Sequence, residues 1–158
     1  MLPNPYIATL RLIAERIGDS PYDWVITGSV GMALQGMPVE VHDIDLQTDA
    51  AGAYEIERRL AEYVITPVRY VESPRIRSHL GSLEIRGLTV EVMGALQKRI
   101  DDAWEPPVDV GRHRRWVTVA DLHLPVLSLA YEYQAYLALG RLEKAAAIQA
   151  WLETNAEQ

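Results

Sequence analysis

The 158-residue chain has no cysteine and no phenylalanine. Without thiols, disulfides and thiolate metal sites are excluded, so any metal must be held by oxygen or histidine nitrogen. Without Phe, the core must be filled by Trp, Tyr, Leu, Ile and Val. No apolar run approaches the roughly 20 residues that a membrane-spanning helix requires. The first residues, MLPNPYIATL, lack the basic flank and long apolar centre of a signal peptide. The expected location is therefore cytoplasmic, with no membrane contact. An excess of basic residues is also missing. The formal net charge is -7, which argues against broad, charge-driven binding to nucleic acid but leaves room for a local basic patch. No Gly-Lys-Ser/Thr is present to make a Walker A loop, and the three-glycine spacing of a dinucleotide fingerprint is absent.

What is present is ordinary in bulk. An apolar fraction of 49% and a charged fraction of 23% fit a soluble globular protein. The length favours a single domain over residues 1–158, burying roughly 70% of the unfolded surface. An α/β core would run to about residue 120, with C-terminal helices over about 121–158.

Periodicity and turn residues place the elements. Asn4-Pro5 reads as a cap and first helical residue, and Tyr6, Leu10, Ile13 and Ile17 share one helical face up to Gly18. Tyr22–Thr27 and Val41–Gln47 read as strands, separated by a short helix over Ser29–Gln35. A helix over about Ala51–Val64 turns Ala53, Ile56, Leu60 and Tyr63 inward, with Glu55 and Arg59 one turn apart outside. A strand follows at Val68–Val71. His79–Ile85 and Leu88–Val92 form a hairpin about Arg86-Gly87. Gly94–Gly111 resists assignment, its Glu105-Pro106-Pro107 centre demanding extended chain. Arg115–Val119 reads as a last strand. Pro125–Leu139 reads as a helix whose only charge is Glu132, which implies burial on much of its surface. A final helix covers about Arg141–Leu152. The fold class is thus α/β or α+β, a short mixed sheet flanked by helices with a helical pair at the C-terminus.

The chemistry gathers in Ile26–Asp49. Gly28-Ser29 follows an apolar strand and opens a helix, where free N–H groups attract phosphate. Gly28 lets the backbone come close, and the Ser29 hydroxyl can donate. After thirteen intervening residues comes Asp43-Ile44-Asp45-Leu46. Side chains alternate along a strand, so Asp43 and Asp45 share a face while Ile44 and Leu46 face the core. Val90-Glu91-Val92 repeats the pattern. If the two strands are neighbours, three carboxylates converge. A divalent cation relieves their repulsion, and such a site can hold two Mg²⁺ roughly 3.5–4 Å apart for in-line displacement at phosphorus.

Thr27-Gly28-Ser29, Asp43-Ile44-Asp45-Leu46 and Val90-Glu91-Val92 together resemble the nucleotidyltransferase superfamily with the DNA polymerase β-like fold. The full length resembles the small bacterial group that includes minimal nucleotidyltransferases and aminoglycoside adenylyltransferase-like proteins. The resemblance implies that Asp43, Asp45 and Glu91 are catalytic and hold the metal, and that Gly28 and Ser29 hold the triphosphate. It implies transfer of a nucleoside monophosphate, AMP from ATP above all, to the hydroxyl of a small molecule, RNA or protein, with release of pyrophosphate. The chain departs from the pattern at Thr27, where an apolar residue is common, at Glu91, where Asp is common, and at Arg141–Ala145, which lacks the Asp of the Lys-Asp pair in the last helices. A rival reading is an interaction module of a toxin–antitoxin pair, acting with a protein partner or as a homodimer; a third is a metal phosphohydrolase.

Other candidates have plainer roles. His42, His79, His113 and His123 suit surface or hydrogen-bonding positions. Arg69, Arg75 and Arg77, and Arg112, Arg114 and Arg115, form two basic clusters suited to a solvated face or to a phosphate. Tyr131, Tyr133, Tyr136 and Trp151 suit the core or an interface.

Overall fold

The computed structural model describes residues 2–155. Helix α1 (Asn4–Ile17) starts one residue earlier than its sequence suggests, with Pro3 at the cap and no side-chain cap from Asn4. Leu10, Ile13 and Ile17 are fully buried. Strand β1 (Trp24–Thr27) runs straight into α2 (Gly28–Leu34). Strand β2 (Ile44–Thr48) leads to α3 (Ala50–Arg59), which Asp49 caps by accepting from the Gly52 N–H at 2.6 Å. After a 3-10 turn (Ala61–Tyr63) come β3 (Val64–Glu72), β4 (Ile76–Ile85) and β5 (Leu88–Ile100). The β4–β5 turn is Arg86-Gly87, with φ of 54° and 79°, the paired positive φ of a type I′ hairpin. The segment that resisted assignment continues β5, then makes β6 (Ala103–Trp104) and an extended run to β7 (Arg114–Val119).

Two expectations are corrected. Leu122–Leu127 is a strand, β8, and the helix α4 begins only at Leu129 and ends at Ala138. The apolar run through Pro125 and Val126 fits either element, because a strand buried on both sides shows no alternation. Its neighbours decide: Val126 pairs with Ile26 of β1, and Pro125 with Trp116 of β7. Ser128 then caps α4, accepting from the Tyr131 N–H at 3.2 Å. Second, β2 begins at Ile44, so Asp43 lies in the bend before the strand. The last helix is α5 (Leu142–Thr154).

The sheet order is β3-β4-β5-β2-β1-β8-β7, with β6 paired to β5. The β2/β5 and β1/β8 pairs are parallel, the rest antiparallel. This is a mixed α/β fold with a C-terminal helical pair, its eight-stranded sheet larger than the short one expected. Ile26, Ile44, Leu46, Val90 and Val92 bury one sheet face in the main core with α1 and α3. The residues between them turn to the other face, toward α4.

Candidate active site

Three strands bring the site together. Thr27 pairs with Asp45 across β1 and β2, and Asp45 with Glu91 across β2 and β5. Thr27, Asp45 and Glu91 therefore form a row across the sheet, with backbones about 4.8 Å apart. Asp45 and Glu91 are half-buried. The Asp45 carboxyl is pushed up to about 7, first by burial, then by the charges of Glu91 and Asp43, with Lys144 opposing. Its Oδ1 is buried without any hydrogen-bond partner.

Gly28 makes this row fit. Its φ is +69°, and a Cβ there would stand 2.5 Å from Asp45 Oδ2. Glycine is needed both for the left-handed backbone and for the close approach.

Ser29 and Asp43 are linked through one peptide. Ser29 Oγ accepts from the His42 N–H at 2.9 Å, and the Tyr6 hydroxyl donates to the His42 carbonyl at 2.9 Å. Both backbone groups of His42 are thus pinned, one from α2 and one from α1, and the bend carrying Asp43 is held at the start of β2. The His42 ring itself is exposed beside Glu40.

Glu132 enters the site unannounced by any motif. It is 4% exposed. Its Oε2 accepts from Thr27 Oγ1 at 2.7 Å and from the Gly28 N–H at 3.1 Å. Burial drives its carboxyl up to about 7 against those two hydrogen bonds, with Asp45 adding to the rise and Lys144 opposing it. The sequence signal was the lone carboxylate of an apolar helix.

Most of the remaining candidates lie apart, but Tyr131 and Tyr136 border the space beside Gly28 and Asp45. His79 Nδ1 meets the Tyr54 hydroxyl at 3.0 Å, its ring edge-on to Tyr54 and Tyr70. Arg69 donates to the Leu80 carbonyl, Arg77 to Gln97, and Arg114 pairs with Asp23 at 2.8 Å. His113 leans on Tyr131 and His123 stacks on Trp116. Tyr133, Tyr136 and Trp151 pack on the small core formed by Met32, Met37, Leu129 and Ile148.

Among the described residues no three carboxylates or imidazoles close on one point as a finished metal site. The donor set still suits a hard cation. It is all oxygen, and it includes a buried carboxylate oxygen that nothing in the protein satisfies.

Comparison with known proteins gives the lineage. A model of the aminoglycoside-2''-adenylyltransferase family matches residues 9–149. A candidate nucleotidyltransferase from Thermotoga maritima is 50% identical, covering 98% of this chain and 96% of its own, with a TM-score of 0.86. Two distant structures share the fold. The lincosamide adenylyltransferase LnuA, solved with lincomycin, is 12% identical with a TM-score of 0.56, over 94% of this chain and 97% of its own. ANT(2'')-Ia, solved with adenylyl-2''-tobramycin, is 14% identical with a TM-score of 0.58, over 93% and 89%. No curated protein matches significantly. No helix among the described residues is long and apolar enough to cross a membrane. On the family match and the 50% identity, the chain belongs to the aminoglycoside-2''-adenylyltransferase family of nucleotidyltransferases.

Proposed function

We propose that this chain is a magnesium-dependent nucleotidyltransferase that moves AMP from ATP to an acceptor hydroxyl. The observation that carries the reading is Asp45, half-buried beside Glu91 with one buried oxygen unsatisfied and Gly28 leaving room for it. Asp43, Asp45 and Glu91 would hold the metal, which supplies charge neutralisation and polarises phosphoryl oxygens.

The chain's own groups do the rest. Glu91, on a different strand from Asp45, takes the proton of the acceptor hydroxyl. The acceptor oxygen bonds to the α-phosphorus as the bond from that phosphorus to the bridging oxygen breaks, and pyrophosphate leaves. Ser29 accepts from His42, so its own proton remains to be donated to the β or γ phosphate. The Gly28 N–H is engaged by Glu132, and the part of Gly28 in seating the nucleotide is its close backbone. Lys144 shares with Ser29 a cavity of about 310 Å³ between α2 and α5 and is a cation placed to meet the triphosphate there.

The test is incubation with ATP labelled on the α-phosphate and a panel of antibiotics, tRNAs and proteins. The expected result is label on one acceptor with Mg²⁺, none with EDTA and none with Asp45→Asn. Release of labelled AMP with no acceptor labelled would mark a phosphohydrolase and overturn the reading.

A further inference from the structure

Beside Asp45 lies a cavity of about 150 Å³ bordered by Gln47, Lys98, Tyr131, Glu132 and Arg141. A cavity of about this volume accepts a benzene ring. Gln47 reaches it by simple alternation, two residues beyond Asp45 on β2. Lys98 does not. Counting from Glu91 and Met93, alternation would send Lys98 to the opposite face. A bulge changes the parity. His79 pairs with Gly94 and Arg77 with Gln97, so two steps on β4 face three on β5. Ala95 is the extra residue, with φ of 53°, the left-handed conformation that one residue of such a bulge adopts. Leu96 and Lys98 are thereby returned to the face of Asp45 and Glu91, and both line the cavity.

Lys98 is 4% exposed. Its Nζ donates to the Tyr131 hydroxyl at 3.1 Å and stands 5.2 Å from the centre of that ring. Among the described residues it forms no ion pair. Lysines are almost never this buried unless paired, because an uncompensated buried charge is costly. Gln47 is 8% exposed, and its Oε1 is buried with no partner, an acceptor that a hydroxyl of the same ligand, and not its carboxylate, would satisfy. Arg141 places another cation at the cavity, also without an ion pair among the described residues.

We infer that this cavity receives an anionic group of the acceptor, held by Lys98 with Gln47 beside it, so that the preferred acceptor is a small hydroxy acid and not a polycation. The inference rests on the transfer reading above and names the acceptor class. A cationic group brought here would meet Lys98 and Arg141 as like charges; a carboxylate would complete the missing pair on Lys98, with Arg141 as a second cation to offset the Asp45 and Glu132 carboxyls on the same lining.

The test uses three probes on one ring: benzoate, benzyl alcohol and benzylamine, titrated into the full chain and followed by protein NMR. Benzoate should bind at least about tenfold more tightly than the other two, a modest margin for a charge-assisted hydrogen bond. Lys98→Arg should keep that preference and Lys98→Met should lose it. Benzoate that does not bind, or binds no better than benzyl alcohol or benzylamine, overturns the inference, and so does a folded Lys98→Met that keeps the preference. The wild-type comparison decides the matter even where a variant does not fold. An ATP·Mg²⁺ titration beside it tests the transfer reading separately: absence of ATP binding sinks that reading, while the three-probe result still judges the cavity.

Discussion

At the scale of single residues, one half-buried and one buried carboxyl face the same small space. Asp45 and Glu132 both stand near 7, well above their ordinary values of 3.8 and 4.5. The consequence for stability has a definite sign. Between about pH 4.5 and 7 the folded protein keeps a proton on Glu132 that the unfolded chain has lost. Stability therefore falls as pH rises through that window and levels off above it. Glu132→Gln keeps an acceptor for Thr27 and Gly28 and removes the titration. In EDTA, the variant should match wild type near pH 4.5 and exceed it at pH 8, by up to about 3 kcal/mol. Urea unfolding at both pH values measures the gap. An equal gap at both would show that Glu132 titrates normally. Asp45, Glu91 and Gly28 were legible because each sits in a short apolar frame. Glu132 was not, because its partners lie 105 and 104 residues away in sequence, and only the oddity of a lone charge on an apolar helix marked it.

At the scale of elements, parity decided what could be read. The row of Thr27, Asp45 and Glu91 follows from alternation within regular strands, which is why the sequence could bring Asp45 and Glu91 together on the condition that their strands are neighbours, as β2 and β5 are. Asp43 escaped that logic because it precedes the strand, and its position depends on the two hydrogen bonds that pin His42. Lys98 escaped it because one left-handed residue, Ala95, inverts the alternation, and alanine gives no sign of a bulge. The strand at Leu122–Leu127 was hidden for a different reason, since burial on both sides erases the pattern. The bulge supplies its own prediction. Ala95→Gly should relieve the left-handed strain and stabilise the chain by about 1 kcal/mol, even though glycine costs more entropy on folding. Chemical denaturation measures it. A loss of stability would mean that the Ala95 methyl group packs for more than the strain costs.

At the scale of the whole molecule, the sheet order places β2 and β5 side by side in parallel at its centre, and the chain then returns through β8 so that α4 delivers Glu132 to the β1–α2 turn. The elements up to β5 and their order were legible, while β6 and β8 were not; which C-terminal side chains reach the central row could not be read either, because that depends on how α4 and α5 settle over the sheet. The central claim is that Asp45 holds the metal that travels with the triphosphate, while Glu91 on the neighbouring strand serves the acceptor. Calorimetric titration of ATP, with and without Mg²⁺, into wild type, Asp45→Asn and Glu91→Gln tests this most directly. Wild type should bind ATP only with Mg²⁺, Asp45→Asn should lose at least about a hundredfold, and Glu91→Gln less than about tenfold. Binding that ignores Mg²⁺, or an Asp45→Asn variant that binds as wild type does, would contradict the account.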